Sequence, residues 1–183
     1  MPYDVALNKA WEELENSTKD SIVSVRFLAD EYTVNVKDKK VLSLSCNVPV
    51  KDFLVILILH YLVKKSKGLP KITGEWIDFR ELDGGQGYYS NFKKRVLKIV
   101  IKKYGTNPES LVSLISRFKA KRVELADVAI CLEPLEGSPI LVQAWKGDDE
   151  FSPEANILFD KNIKDIFCTE DIVILSEFLA HSI

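Results

Sequence analysis

Two histidines, three cysteines and one methionine leave this 183-residue chain little soft-ligand chemistry. Cys46, Cys131 and Cys168 lie far apart, and there is no CxxC pair or Cys/His run. The sequence therefore predicts no zinc ribbon, iron–sulfur cluster or other metal site from this chain alone. Long apolar runs are also missing. The longest, Phe53 to Val63, has 11 residues, against the roughly 20 that span a bilayer, and Lys64 and Lys65 end it. The opening Met-Pro-Tyr-Asp has neither the basic nor the apolar region of a secretory signal. The expectation is a cytoplasmic protein with no membrane association, its apolar run buried as a helix.

Charge of one sign is lacking as well: 25 Lys and Arg stand against 27 Asp and Glu. The whole-molecule field offers no general attraction to nucleic acid or anionic lipid. The distribution is less even. Ten basic residues and only Glu109 of opposite sign fall between Lys93 and Arg122, whereas nine acids and only Lys161 and Lys164 follow from Asp148 onward.

At 46% hydrophobic, the chain is long enough to bury one substantial core, so a single domain over residues 1–183 is expected. Leu7, Trp11 and Leu14 repeat at helical spacing behind Asp4, a candidate cap, and predict a first helix to about Leu14. Ile22 to Phe27, Tyr32 to Val36 and Val41 to Leu44 are rich in β-branched and aromatic residues and predict an antiparallel meander. The apolar helix from about Val50 follows. Phe92 to Tyr104 reads as an amphipathic helix with Lys94, Arg95, Lys98 and Lys102 on one face and Gly105 as its C-cap. Asn107-Pro108-Glu109 starts another helix. Val128 to Leu132 and Ile140 to Trp145 flank a turn and predict a hairpin, with Ala155 to Phe159 as a further strand. Thr169-Glu170-Asp171 opens a final helix. The class is α+β: antiparallel strands, a buried central helix and flanking helices.

Glycine is scarce, eight in all, and five of the eight fall between Gly68 and Gly87. That stretch also holds Trp76, Asp78, Arg80 and Glu81 and leads into Tyr88 and Tyr89, so ionic, hydrogen-bonding and stacking groups crowd one segment. Residues 68–92 form the candidate site for a small anionic ligand, a cofactor or a protein partner. Two chemistries fit its residues, and a third reading lies in the helix that follows. Asp78 or Glu81 with Arg80 supplies an acid/base pair and an anion-holding fork, as an enzyme would need, while the plain alternative is a structural ion pair. On a strand Trp76, Asp78 and Arg80 share a face; on a helix Trp76 meets Arg80 and Asp78 meets Glu81. Gly84, Gly85 and Gly87, ahead of a helix starting near Tyr88 or Ser90, could cradle a phosphate, without the Lys-Ser/Thr of a P-loop. The basic helix 92–104 could form an interaction or nucleic-acid surface, but it lacks interleaved aromatics, which argues against nucleic acid. Asp148, Asp149, Glu150, Glu154, Asn156 and Asp160 are hard oxygen ligands without EF-hand spacing, and a solvated turn with an edge strand accounts for them. His60 reads as a core residue, and the sequence sets no oligomeric state.

Tyr3 to Trp11, Leu57-Ile-Leu-His-Tyr-Leu62, Thr73-Gly-Glu-Trp-Ile-Asp-Phe-Arg-Glu-Leu82 with Gly84, Gly85, Tyr89 and Phe92, and Trp145 to Asp160 together resemble the prokaryotic "domain of unknown function 3786" family. The resemblance covers nearly the whole chain and implies one domain. It implies no activity. Some relatives bear an added cysteine-rich segment of iron–sulfur type, which this chain lacks.

Overall fold

A computed structural model describes residues 3–46 and 48–183; Met1 and Pro2, part of the N-terminal run read above, lie outside it. The described chain forms two compact units, Met1–Lys71 and Ile72–Ile183. Together they have the expected α+β class.

The first unit opens with α1 (Asp4–Ser17), whose Ala10, Trp11 and Leu14 are buried at the spacing the sequence predicts. Its N-cap is Tyr3, with no side-chain cap, so Asp4 sits in the first turn and serves the helix dipole. Strands β1 (Ile22–Phe27), β2 (Asp30–Asn35) and β3 (Lys40–Ser43) form the meander in sequence order, all antiparallel. Val25, Phe27, Val34 and Val41 share its buried face. Helix α2 (Asp52–Lys67) buries residues on every side, packs on α1, and ends where Gly68 takes a φ of 97°. His60 lies half-buried on it.

The second unit holds a five-stranded antiparallel sheet in the order β4-β8-β7-β6-β5. Its strands are β4 (Trp76–Asp78), β5 (Lys121–Val123), β6 (Val128–Leu132), β7 (Ile140–Trp145) and β8 (Glu154–Asp160). The predicted hairpin is β6–β7, and the predicted further strand is β8, which lies between β4 and β7. One face, with Ile77, Ile130, Val142, Ile157 and Phe159, is buried under a helical layer. That layer is one run from Gly85 to Tyr104: α3 (Gly85–Phe92), a π-helical turn (Lys93–Leu97) and α4 (Lys98–Tyr104). Short 3₁₀ and helical turns, Pro108–Ser113 and α5 (Leu114–Phe118), precede β5; α6 (Ile163–Ile166) and α7 (Thr169–Ser182) close the unit.

Three expectations need correction. The helix after the glycines starts at Gly85, earlier than Tyr88 or Ser90, because tertiary packing overrides glycine's poor helix propensity. Gly105 does not take a left-handed cap conformation (φ −62°); a Cβ there would lie 2.7 Å from the Ile101 carbonyl oxygen and 2.8 Å from Pro153, so the glycine answers a close approach. The N-cap of α7 is Cys168; Thr169 instead donates its hydroxyl to the Asp83 carbonyl at 2.8 Å. No described helix is long and apolar enough to cross a membrane.

Candidate functional site

Trp76 and Asp78 point to one side of β4 while Ile77 enters the core, as alternation on a strand requires. The chain then tightens into a 3₁₀ turn, Phe79–Glu81, closed by a capping box: Asp78 accepts the Arg80 amide at 2.8 Å, and Glu81 Oε1 accepts the Asp78 amide at 2.8 Å. Neither the pure strand nor the pure helix spacing holds. Arg80 instead folds back onto Asp78, with Nε to Oδ1 at 2.7 Å and Nη2 to Oδ2 at 3.3 Å. Its guanidinium carbon lies 4.8 Å from the Tyr89 ring centroid, so Tyr89 takes the stacking role that Trp76 could have filled.

Glycine makes that geometry possible. Gly84 has a φ of 71°, and a Cβ on Gly85 would fall 2.0 Å from the Phe79 carbonyl oxygen. The start of α3 is thereby pressed against the turn that carries Arg80. Phe92 stacks on Phe79 at 3.9 Å and meets Phe159 of β8 edge-on at 6.5 Å, so the platform beneath Tyr89 is continuous with the sheet core. From the other side Lys164 donates to the Glu81 carbonyl at 2.7 Å and Thr169 to that of Asp83.

The electrostatics separate the carboxylates from the cation. Burial pushes the Asp78 carboxyl upward, but hydrogen bonds from the Arg80 side chain and amide, the arginine's charge and a hydrogen bond from Asn156 outweigh it, and its pKa is lowered. The Asp78 side chain is 13% exposed and the Arg80 side chain 51%. Asp78 is thus spent on holding Arg80, and Glu81 on closing the turn. Arg80 is different. Its Nε/Nη2 edge is taken by Asp78 and one face of its plane by the Tyr89 ring, while the end edge, one N–H from each Nη, makes no hydrogen bond among the described residues.

The remaining candidates scatter. Gly84 and Gly85 have structural reasons to be glycine; Gly87 has none, since it is exposed and a Cβ there meets nothing within 4 Å. Tyr88 does not join Arg80: its hydroxyl accepts from Arg95 Nη1 at 2.7 Å, and Arg95 also pairs with Glu177 of α7 at 2.5 Å. The π-helical turn thus takes Arg95 out of the basic stripe, leaving Lys94, Lys98 and Lys102 exposed. Trp76 is half-buried opposite Asp160. Asp148 accepts the amides of Glu150 and Phe151 at 2.9 and 2.7 Å in a turn, and no group of three or more His, Cys, Asp or Glu among the described residues is placed to hold a metal.

Sequence reasoning missed Phe79 and Lys164, which no local pattern marks, and read Phe92 and Thr169 only as parts of their helices, missing the platform and the clamp they form here. Asn156 carried a signal: it alternates onto the polar side of β8, the side that Asp78 shares through the Asp78–Leu158 pairing. No curated protein and no solved structure matches this chain. One family model spans both compact units, matching residues 7–182, and the chain belongs to the family described as Domain of unknown function (DUF3786).

Proposed function

We propose that this protein binds a small anionic ligand, or the anionic group of a partner, at the open end of the Arg80 guanidinium. The observation that carries the reading is an exposed arginine held rigid on two sides, by Asp78 and by Tyr89, with a planar pair of donors facing solvent. Arginine side chains ordinarily lose about 2 kcal/mol of rotamer freedom when fixed; here the fold has already fixed this one, so a ligand meets a pre-organised fork. Carboxylate and phosphate match that fork bidentately. Asp78 cancels most of the net charge, so shape and hydrogen-bond geometry set the affinity more than long-range attraction does.

Titration of the ¹⁵N-labelled protein with inorganic phosphate and with benzoate, observed at the arginine Nε–H resonances, tests the reading. A saturable shift of the Arg80 resonance with either anion is expected. If only salt-like drift common to all arginines appears with both anions, the proposal is wrong.

A further inference from the structure

Edge strands expose unpaired main-chain donors and acceptors, and proteins blunt them with short length, proline, bulges or charge. Three of the four sheet edges here are blunted. Strands β4 and β5 have three residues each, and β3 is bridged by Pro49 at Leu42. The outer edge of β1 has six residues, no proline, and a single charge, Arg26, whose Nη1 turns back to the Leu28 carbonyl at 3.3 Å.

The hydrogen-bond phase of this edge follows from one contact. Val36 donates to the Ser21 carbonyl at 3.0 Å, and these residues are partners in the register that pairs Ile22 with Asn35. Ser21, Val23, Val25 and Phe27 therefore bond toward β2, and Ile22, Ser24 and Arg26 direct their N–H and C=O groups outward. All three of the latter are exposed, Ile22 at 59%. No strand among the described residues pairs with β1 on that side.

We propose that β1 pairs with β1 of a second copy of the chain, antiparallel about a two-fold axis through Ser24. In that register Ser24 faces Ser24 of the second copy, Ile22 faces its Arg26 and Val23 its Val25. Every outward residue then meets an outward residue, so three pairs exchange two bonds each. No like charges oppose one another, the Arg26 stem covers the exposed Ile22, and the valines extend the apolar face across the axis. A register centred on Val25 would set Ile22 against Leu28, which has already left the strand with a φ of 55°. Self-pairing at β5, whose three residues include Lys121 and Arg122, would instead set cation against cation, Arg122 on its own copy when the axis passes through it.

Five residues per chain bury less than a standard interface, so the association is in roughly the micromolar range. Sedimentation of the full chain from about 1 to 500 μM should show the mass rising from 20.8 kDa toward twice that value. Ser24→Lys places like charges on the axis without touching the main chain, and Ser24→Pro removes the central donor; both should remain at the monomer mass throughout, with circular dichroism confirming the fold. A wild-type chain that stays monomeric across the range overturns the proposal, as does a dimer that survives Ser24→Lys in folded protein.

Discussion

Asp78 and Asp160 stand on the same side of two paired strands, and they do opposite things. Asp160, 1% exposed, forms no ion pair among the described residues; it accepts from the Thr73 amide and hydroxyl, the Gly74 amide at 2.6 Å and the Asn162 amide at 3.0 Å. Asp78 also accepts a backbone amide, but most of its capacity goes to an exposed guanidinium. One carboxylate fastens chain to chain. The other presents a cation. A carboxylate facing main-chain amides inside the fold belongs to stability, whereas one that steadies an exposed arginine leaves part of that arginine free for something else.

The largest test breaks the first half of the contrast. Asp160→Ala should cost about 3 kcal/mol in urea unfolding, because a buried charged acceptor is lost and the amides it served must find other partners. A loss under about 0.5 kcal/mol would mean that Asp160 is not the fastening point. Acid gives a second readout. Burial pushes the Asp160 carboxyl up, yet bonds from Asn162, Thr73 and Gly74 bring its pKa below the ordinary value. The group's contribution is therefore present above the unfolded-state pKa and disappears as pH falls through the lower folded value. The stability difference between wild type and Asp160→Ala should shrink across that acid range and stay constant near neutrality.

The three glycines ahead of Tyr88 sharpen the second half, since two of them support the Arg80 turn. Gly85→Ala should cost about 2 to 3 kcal/mol, because its methyl would collide with the Phe79 carbonyl. Gly84→Ala, in open space but left-handed, should cost about 1 kcal/mol. Gly87→Ala should be neutral to stabilising by up to about 1 kcal/mol, as for any exposed helical glycine. Equal losses at all three positions in thermal melts would show that the turn is not fastened as described.

Much of the fold was legible because its elements are locally consistent. Alternating β-branched residues place β1 to β3 and the β6–β7 hairpin within about two residues, and Trp11, Leu14, Ile172, Leu175 and Leu179 carry their helices' buried stripes. The site was legible in composition only. Trp76, Asp78, Arg80 and Tyr89 lie in the right segment, but the strand-to-3₁₀ switch at Asp78 is neither periodicity, so spacing could not pair Arg80 with Tyr89. Gly85 and Gly105 misled for one reason: each is set by a neighbour distant along the chain or across a turn, Phe79 in one case and Pro153 in the other. Asp160 looked like the end of an acidic strand, because two of the three amides it binds, those of Thr73 and Gly74, lie 87 and 86 residues away.

The smallest expected stability change carries the central claim. Arg80→Lys keeps the charge beside Asp78 but loses the planar fork and the fit on Tyr89. Unfolding free energy and calorimetric anion affinity, measured side by side on wild type and this variant, separate the two roles of the Asp78–Arg80 pair. The account predicts stability within about 0.5 kcal/mol of wild type and an affinity for phosphate or benzoate weakened at least about tenfold, equivalent to 1.4 kcal/mol. A destabilised variant that binds these anions as wild type does would contradict it, and would make Arg80, like Asp160, a fastening of the fold.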